Sequence, residues 1–134
     1  MPARSYIKRK SQNLSTAIET IYGFKLSGDA DKALKMASET FTELLGFDLS
    51  DILELENETF LEKFTNQDLS LSYLELISKF ILNTAEIFSF LNRPKDAQNL
   101  SVKGMLLLKY IEKNDKTFSI ERDELIKAWE DSKI

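Results

Sequence analysis

Apolar residues recur at steps of three and four positions along most of this chain, the spacing that places side chains on one face of an α-helix. The clearest run extends from Ala33 to Leu45, and the most apolar one lies between Leu69 and Leu91. Only 4 of the 134 residues are glycine and 2 are proline, too few for the frequent turns of a β-sandwich or barrel. The pattern therefore predicts an all-α protein of five to six helices, folded as one domain over residues 1–134.

Turn-forming residues divide the helical pattern into segments. We expect Gly46 to close its helix in the left-handed conformation. Ser72 and Glu75 have the spacing of a capping box at the start of the most apolar helix. The predicted helical segments are approximately 6–26, 29–45, short pieces within 47–66, then 69–91, 94–114 and 119–131. In the last segment, which we expect Trp129 to anchor, the apolar positions are Ile120, Leu125, Ala128 and Trp129.

Two segments of the chain share one pattern and align without a gap. Residues 24–33 and 88–97 each have an aromatic residue near the end of one helix, a Gly or Asn turn after it, and an alanine inside the next helix. This pattern resembles the tetratricopeptide repeat, whose consensus has an aromatic residue in its first helix and an alanine early in its second. The resemblance implies antiparallel helical hairpins, degenerate copies of that repeat, in which small residues let two helices lie close together. The residues expected at these contacts are Phe24, Ala33, Ala37, Phe88, Ala97, Ser101 and Gly104.

Most of the chain is also similar to a family of small uncharacterised bacterial proteins with tetratricopeptide-like helices. The features that carry this similarity are a basic start with Tyr6-Ile7, a Gly28-Asp29 turn followed by Lys32-Ala33-Leu34, the Leu44-Leu45-Gly46 sequence, a leucine-rich middle and a long second hairpin. The similarity implies a fold and assigns no activity.

The composition excludes several kinds of catalytic site. The chain has no cysteine and no histidine, whereas catalytic triads and most zinc sites use one of them. No glycine-rich loop precedes a Lys-Ser or Lys-Thr pair, so the usual phosphate-binding loop is missing. The carboxylates between Asp48 and Glu62 lack the residue order of a calcium-binding loop, and we interpret them as a solvated acidic face. We expect a protein that is not an enzyme and that uses no metal and no cofactor.

The distribution of charge bears on the kind of partner. A formal net charge of -4 opposes a general affinity for nucleic acid, which requires a cationic surface. The start of the chain differs from the rest, because no acidic residue precedes Glu19. Its basic residues are Arg4, Lys8, Arg9 and Lys10. Residues 1–10 are therefore either a flexible basic arm or helical turns that contact an anionic partner, such as nucleic acid or a lipid head group.

No part of the sequence indicates insertion into a membrane. There is no run of 18 apolar residues, and charged residues follow the start, where a secretion signal would be apolar. The absence of cysteine is in keeping with a reducing compartment. We expect a cytoplasmic protein without a transmembrane segment.

These observations favour a helical interaction or scaffold module that binds a protein partner, or a copy of itself, through helix faces. Tyr22 and Tyr110 are candidates for partner contact, because a tyrosine can lie at the rim of a groove with its hydroxyl in water. One alternative is a regulatory domain that holds a small molecule in a pocket between helices near Phe80, Phe88 and Tyr110. Another is a protein that binds an anionic partner through the basic residues at its start.

Overall fold

The computed structural model describes the backbone of residues 2–132 and the side chains of residues 9–131. Over these residues the chain is helical and contains no β-strand, so the all-α class is confirmed. A π-helical turn at Phe41–Leu45 directly continues the second helix. The seven α-helices of the described backbone are α1 (Pro2–Leu26), α2 (Ala30–Thr40), α3 (Leu49–Glu54), α4 (Asn57–Thr65), α5 (Leu71–Phe90), α6 (Pro94–Asn114) and α7 (Ile120–Ser132).

The described backbone has seven α-helices, more than the predicted five to six. Two of them, α3 and α4, lie in the segment 47–66, where the sequence predicts short helical pieces. Leu55 and Glu56 take an extended backbone, with ψ angles of 141° and 150°, and this separates α3 from α4. Neither glycine nor proline marks the break in the sequence. Ile52 before the break and Phe60 after it are both buried, so the break lets each short helix turn an apolar face to the core.

The body of the fold is a set of helices packed along one another. α5 and α6 form the largest helix pair, and α1 packs against both α2 and α5. α1 and α5 run parallel, because Lys10 lies near Tyr73 at the start of α5 and Lys25 forms an ion pair with Glu86 near its end. α3 and α4 contact α6, and α7 folds back against α6. The start of α1 and the start of α5 therefore share one end of the molecule.

The turns of two helix pairs, α1–α2 and α5–α6, have the same backbone geometry. Gly28 and Asn92 occupy corresponding positions with φ angles of 79° and 61°, in the left-handed region that glycine and asparagine tolerate best. In the first turn the amides of Ser27, Gly28, Asp29 and Ala33 donate to the carbonyls of Gly23, Lys25, Phe24 and Asp29, respectively. In the second turn the amides of Leu91, Asn92, Arg93 and Ala97 donate to the carbonyls of Ile87, Ser89, Phe88 and Arg93, respectively. Each turn closes one helix and opens the next in the same way.

Small residues lie where neighbouring helices approach each other closely. Gly104 marks such an approach of α6 to α5, since a Cβ atom placed on it would lie 2.7 Å from Cδ2 of Leu82. Of the residues predicted at the hairpin contacts, Ala33, Ala37, Phe88, Ala97 and Gly104 are buried, and Phe24 and Ser101 are half-buried.

The helix ends agree with the sequence at some positions and differ at others. Gly46 has a φ of 76° and closes the π-helical turn in the left-handed conformation, as predicted. The predicted capping box at Ser72 is wrong, because Ser70 caps α5 by accepting a hydrogen bond of 3.1 Å from an amide of the first turn. The carboxylate of Glu75 binds Arg122 and so does not turn back to complete a box.

Candidate functional site

A cleft of about 380 Å³ opens at the end of the molecule where α5 begins. It lies between α1, the π-helical turn, the end of α4 and the first turns of α5, and we call it the end cleft. Binding sites for small molecules begin at about 300 Å³. The end cleft is therefore large enough to hold a small ligand or a bulky side chain of a partner.

The floor of the end cleft is apolar. Its apolar lining consists of Leu44, Leu45, Phe64, Leu69 and Ile77. The first two belong to the π-helical turn, whose wider hydrogen-bonded ring shifts them out of the register of α2. In the same turn Phe41 is buried in the core, where the centre of its ring is 4.7 Å from that of Phe80. One turn thus contributes to both the core and the cleft, and π-helical turns occur often at functional sites.

The rim of the end cleft is polar and carries charges of both signs. Lys10 reaches it from α1 and Asp68 from the loop before α5, the first half-buried and the second exposed. The side-chain amide of Gln67 donates a hydrogen bond of 2.8 Å to the carbonyl of Lys63, which holds this part of the rim against α4. A ligand with an apolar body and a polar end would match both the floor and the rim.

The acidic residues of the α3–α4 segment form an exposed surface. The carboxylates between Asp48 and Glu62 are all exposed, on or beside α3 and α4. Within the residues whose side chains are described, no group of three or more His, Cys, Asp or Glu is placed to hold a metal ion. The chemistry that the end cleft offers is therefore the binding of an apolar group next to a charged rim.

The basic residues at the start of the chain lie on a helix. α1 begins at Pro2, so this segment is helical from an earlier residue than predicted. Arg9 is exposed, and Lys10 reaches the end cleft. The side chains of Arg4 and Lys8 lie outside the described residues.

The two tyrosines predicted to contact a partner lie near different ends of the molecule. Tyr22 is 48% exposed in the last turns of α1, where the amine of Lys25 is 4.7 Å from the centre of its ring. Tyr110 is half-buried near the end of α6, which antiparallel packing places beside the start of α5. The structure does not bring the two into one groove, and neither lines the end cleft.

Phe80 and Phe88 lie in the interior, and a second opening of about 330 Å³ lies beside Phe88. Both rings are buried in the core, and the guanidinium of Arg93 lies 4.5 Å from the centre of the ring of Phe88. This second opening lies between α2, the π-helical turn and α3, and Phe88 and Arg93 line its other side, whereas Phe80 and Tyr110 do not line it.

Sequence reasoning missed Arg122, the side chain that attaches α7 to the body. Arg122 is 3% exposed and is bound by three carboxylates, Glu112 at 2.5 Å and Glu75 and Asp115 at 3.2 Å each. Burial alone would lower the pKa of Arg122, but its hydrogen bonds to Glu112, Glu75 and Asp115, together with the negative charge of Glu112, outweigh burial and hold that pKa above its usual value.

The sequence does contain a signal for this contact. Arg122, Leu125 and Trp129 follow the three- and four-residue spacing of one helix face. Of the four apolar positions named for this helix, Ile120 and Ala128 are exposed. Leu125 and Trp129 pack against the core as expected. The position of Arg122 on the same helix face as Leu125 and Trp129 is therefore the sequence feature that indicates a buried charge.

Lys103 is a second charged side chain in the interior. It is 1% exposed, and its amine lies 2.7 Å from Oδ1 of Asn99 and 3.3 Å from Oδ1 of Asn57. Asn99 also donates a hydrogen bond of 2.8 Å to the carbonyl of Leu53. Burial lowers the pKa of Lys103. These bonds attach the junction of α3 and α4 to α6.

Comparisons with protein-family models, with curated proteins and with solved structures found no match to this chain. Within the described part of the chain, no helix combines the length and the apolar character needed to cross a membrane. Function is therefore inferred from the sites of the molecule itself.

Proposed function

We propose that this chain is a non-enzymatic helical module that binds a protein partner, and that the end cleft receives an apolar side chain of that partner. The observation that carries the proposal is the end cleft, an opening of about 380 Å³ with an apolar floor and a charged rim. Binding energy at protein interfaces is concentrated in a few large side chains that fill such pockets. Phe64 and Leu69 would contact the inserted side chain, while Lys10 and Asp68 would contact polar groups around it.

The two helix pairs support a role in binding. Their matching turns agree with the idea that α1–α2 and α5–α6 are degenerate copies of one tetratricopeptide-like hairpin. Proteins built from stacked hairpins of this kind present extended surfaces that bind other molecules. We therefore propose a scaffold role, with the end cleft as the principal contact.

Photo-crosslinking from the rim of the end cleft tests this proposal. Gln67 and Asp68 are exposed, so each can be replaced by p-benzoylphenylalanine without disturbing the core. Illumination in a lysate of the native host is expected to attach one specific protein. Leu69→Trp, which fills the cleft, should abolish that product. Leu26→Trp adds the same side chain at an exposed position near the other end of the molecule and serves as the control.

The identity of the product decides between two forms of the proposal. A second copy of the chain would assign the end cleft to self-association, which light scattering of the purified protein would verify. A different protein would be the partner. The proposal is contradicted if neither position gives a product, or if the product persists equally in Leu69→Trp and Leu26→Trp.

A small molecule is the second candidate for the occupant of the end cleft. Its volume lies within the range of small-ligand sites, and its rim offers charges of both signs to a ligand with an apolar body and a zwitterionic end. In a thermal-shift screen of metabolites, a ligand at about 100 times its dissociation constant should stabilise the folded chain by about 2.7 kcal/mol. Leu69→Trp should remove this stabilisation. A screen in which no compound distinguishes the wild type from Leu69→Trp would argue against a small-molecule site.

A further inference from the structure

α7 is attached to the rest of the molecule differently from the other helices. Each of the helices α1 to α6 buries apolar side chains. Among the described residues of α7, the only buried side chain is that of Arg122, whereas Leu125, Ile126 and Trp129 are half-buried. The anchor of this helix is therefore ionic.

Arg122 occupies a socket with an excess of negative charge. We define the acidic socket as the carboxylates of Glu75 on α5, Glu112 on α6 and Asp115 in the loop after α6. Arg122 donates from Nε to Glu112 at 2.5 Å, from Nη1 to Glu75 and Asp115 at 3.2 Å each, and from Nη2 to the carbonyl of Thr117 at 3.2 Å. Three carboxylates around one guanidinium leave the acidic socket with a net negative charge.

Outside the acidic socket, α7 meets the body through pairs of opposite charge. Over Ile120–Ser132 the helix has five acidic and two basic residues. Its further ion pairs to the described part of the body are Glu121 with Lys79 at 3.2 Å and Glu130 with Lys109 at 2.9 Å. All four of these side chains are about one-third exposed or more, and exposed pairs contribute little to stability. The unbalanced charge beneath α7 is therefore that of the acidic socket, where three carboxylates meet one guanidinium.

The apolar contact beneath α7 is incomplete as well. A depression of about 240 Å³ remains open between α1, α5 and α7, lined in part by Ile18, Leu82 and Leu125. Leu125 therefore covers only part of the groove that α1 and α5 form. Buried ion pairs add little net stability, because the loss of hydration offsets their attraction. An element held in this way opens locally more easily than the rest of the fold.

We propose that α7 is a displaceable helix, and that the surface beneath it binds a basic amphipathic helix of a partner protein. Basic residues of such a helix would neutralise the charge that Arg122 leaves uncompensated in the acidic socket. Its apolar residues, at three- and four-residue steps, would fill the groove beside Ile18 and Leu82. This surface is separate from the end cleft, so the proposal does not depend on what occupies the end cleft.

Two synthetic peptides test the proposal on the full-length chain. The acidic peptide has the sequence of residues 117–132 with Trp129→Phe. The basic peptide has in addition the substitutions Glu124→Lys and Asp131→Lys, both at exposed positions. Glu121 and Glu130 are kept, because their partners on the body are Lys79 and Lys109. Because Trp129 is the only tryptophan of the chain, its fluorescence reports on α7 alone. We expect the basic peptide to bind about tenfold more tightly than the acidic one and to shift Trp129 emission to longer wavelengths as α7 leaves.

Variants distinguish the acidic socket from a general attraction between a basic peptide and an anionic protein. Arg122→Gln empties the socket and should tighten binding of the basic peptide about tenfold. The socket variant should weaken binding about tenfold, and it combines Glu75→Gln, Glu112→Gln and Asp115→Asn. The matched control removes three exposed carboxylates of the α3–α4 segment and should leave binding unchanged; it combines Glu54→Gln, Glu56→Gln and Glu58→Gln.

Three results would overturn the proposal. One is an equal loss of binding in the socket variant and the matched control. Another is a failure of Arg122→Gln to bind the basic peptide. This result would reject the displaceable helix even if circular dichroism showed that the socket variant is unfolded. The third is binding of the basic peptide to the wild type without any change in Trp129 emission. A negative outcome here with a positive crosslink at the end cleft would reject the displaceable helix and leave the proposed function intact.

Discussion

Asn92 holds a left-handed backbone that Gly28, its counterpart in the first turn, adopts without strain. A φ of 61° costs a residue with a side chain about 1 kcal/mol, although asparagine tolerates it better than most. We expect Asn92→Gly to stabilise the chain by about 0.5 kcal/mol, because relief of strain exceeds the added freedom of the unfolded chain. Asn92→Ala should destabilise it by about 1 kcal/mol. Urea denaturation measures both.

Asn66→Gly is the control for this prediction. Asn66 ends α4 with a φ of -82°, where glycine relieves no strain. Stabilisation of the same size in Asn92→Gly and Asn66→Gly would mean that strain at Asn92 is not the cause.

The amine of Lys103 is buried, and the side-chain amide oxygens of Asn99 and Asn57 contact it in place of water. Because burial lowers its pKa from the usual 10.5, the unfolded chain binds more protons than the folded chain between the lowered pKa and 10.5. The contribution of Lys103 to stability should therefore rise with pH over that window. Lys103→Met removes the titrating amine from a similar volume and should be neutral or stabilising at pH 7, by up to about 2 kcal/mol.

The difference in unfolding free energy between the wild type and Lys103→Met isolates this effect, because other titrating groups cancel. Urea titrations between pH 7 and pH 10.5 should show that the unfolding free energy of the wild type increases relative to that of Lys103→Met as the pH rises. If the difference stays constant across this range, the amine of Lys103 titrates alike in the folded and unfolded chain, and the prediction fails.

At the scale of single residues, the sequence indicates buried apolar side chains better than buried charges. Phe88 and Ala97 follow from spacing alone. Lys103 and Arg122 also lie on inward-facing positions, but charged residues are normally exposed, so a hydrophobic pattern assigns them to solvent. The groups that hold them, such as Glu75, come from distant segments that no local pattern specifies.

Gly104 sets the distance between α5 and α6. A Cβ atom on it would lie 2.7 Å from Cδ2 and 2.8 Å from Cγ of Leu82. Alanine favours a helix by about 1 kcal/mol over glycine, but overpacking costs about 1–3 kcal/mol. We expect Gly104→Ala to destabilise the chain by about 1 kcal/mol in thermal or urea denaturation.

A double-mutant cycle separates overpacking from helix propensity. In a Leu82→Ala background the obstructing atoms are gone, and Gly104→Ala should become stabilising. Gly23→Ala in α1, where a Cβ atom would have no neighbour within 4 Å, should stabilise the wild type directly. Equal effects of Gly104→Ala in both backgrounds would rule out contact with Leu82 as the cause.

Among the elements, helices with a long apolar stripe were predictable in detail, whereas the two short helices were predictable only as pieces within 47–66. α5 follows from its many apolar positions, and Gly46 marks the end of the helix before it. The break at Leu55 has no glycine or proline, since it arises from the packing of Ile52 and Phe60 on either side. The π-helical turn has no mark in the sequence either, because its wider ring depends on where Phe41 finds space in the core.

Across the whole molecule, stability should be distributed unevenly. α5 and α6 share the largest interface, whereas α7 depends on the ionic anchor at Arg122. In native-state hydrogen exchange, the amide of Ile81 should exchange only through global unfolding. The amide of Leu125 should exchange through local opening, at a free energy lower by about 2 kcal/mol or more. Arg122→Gln should lower the opening free energy measured at the amide of Leu125 by more than it lowers the one measured at Ile81.

The outcome for Leu125 bears directly on the role of α7. Protection of Leu125 equal to that of Ile81 would make α7 an integral part of the cooperative core and would remove the basis for a displaceable helix.

The end cleft belongs to the whole fold and to no single segment. Lys10 attracted notice in the sequence for its charge, but the parallel packing of α1 on α5 is what brings it beside Tyr73. Periodicity places Leu44 and Leu45 on an apolar face without indicating that this face meets an opening. Long-range packing and the π-helical turn together create the end cleft, and no local sequence pattern predicts either of them.

Leu45 and Ser70 both line the end cleft, so the segment between them begins and ends at one place. The chain therefore consists of two pairs of sequential helices, α1–α2 and α5–α6, connected by the segment that forms α3 and α4. A cut between Leu55 and Glu56 would leave one complete helix pair in each fragment. Two polypeptides produced from a gene divided at this junction would rebuild the molecule through the contacts of α1 and α2 with α5 and of α3 with α6.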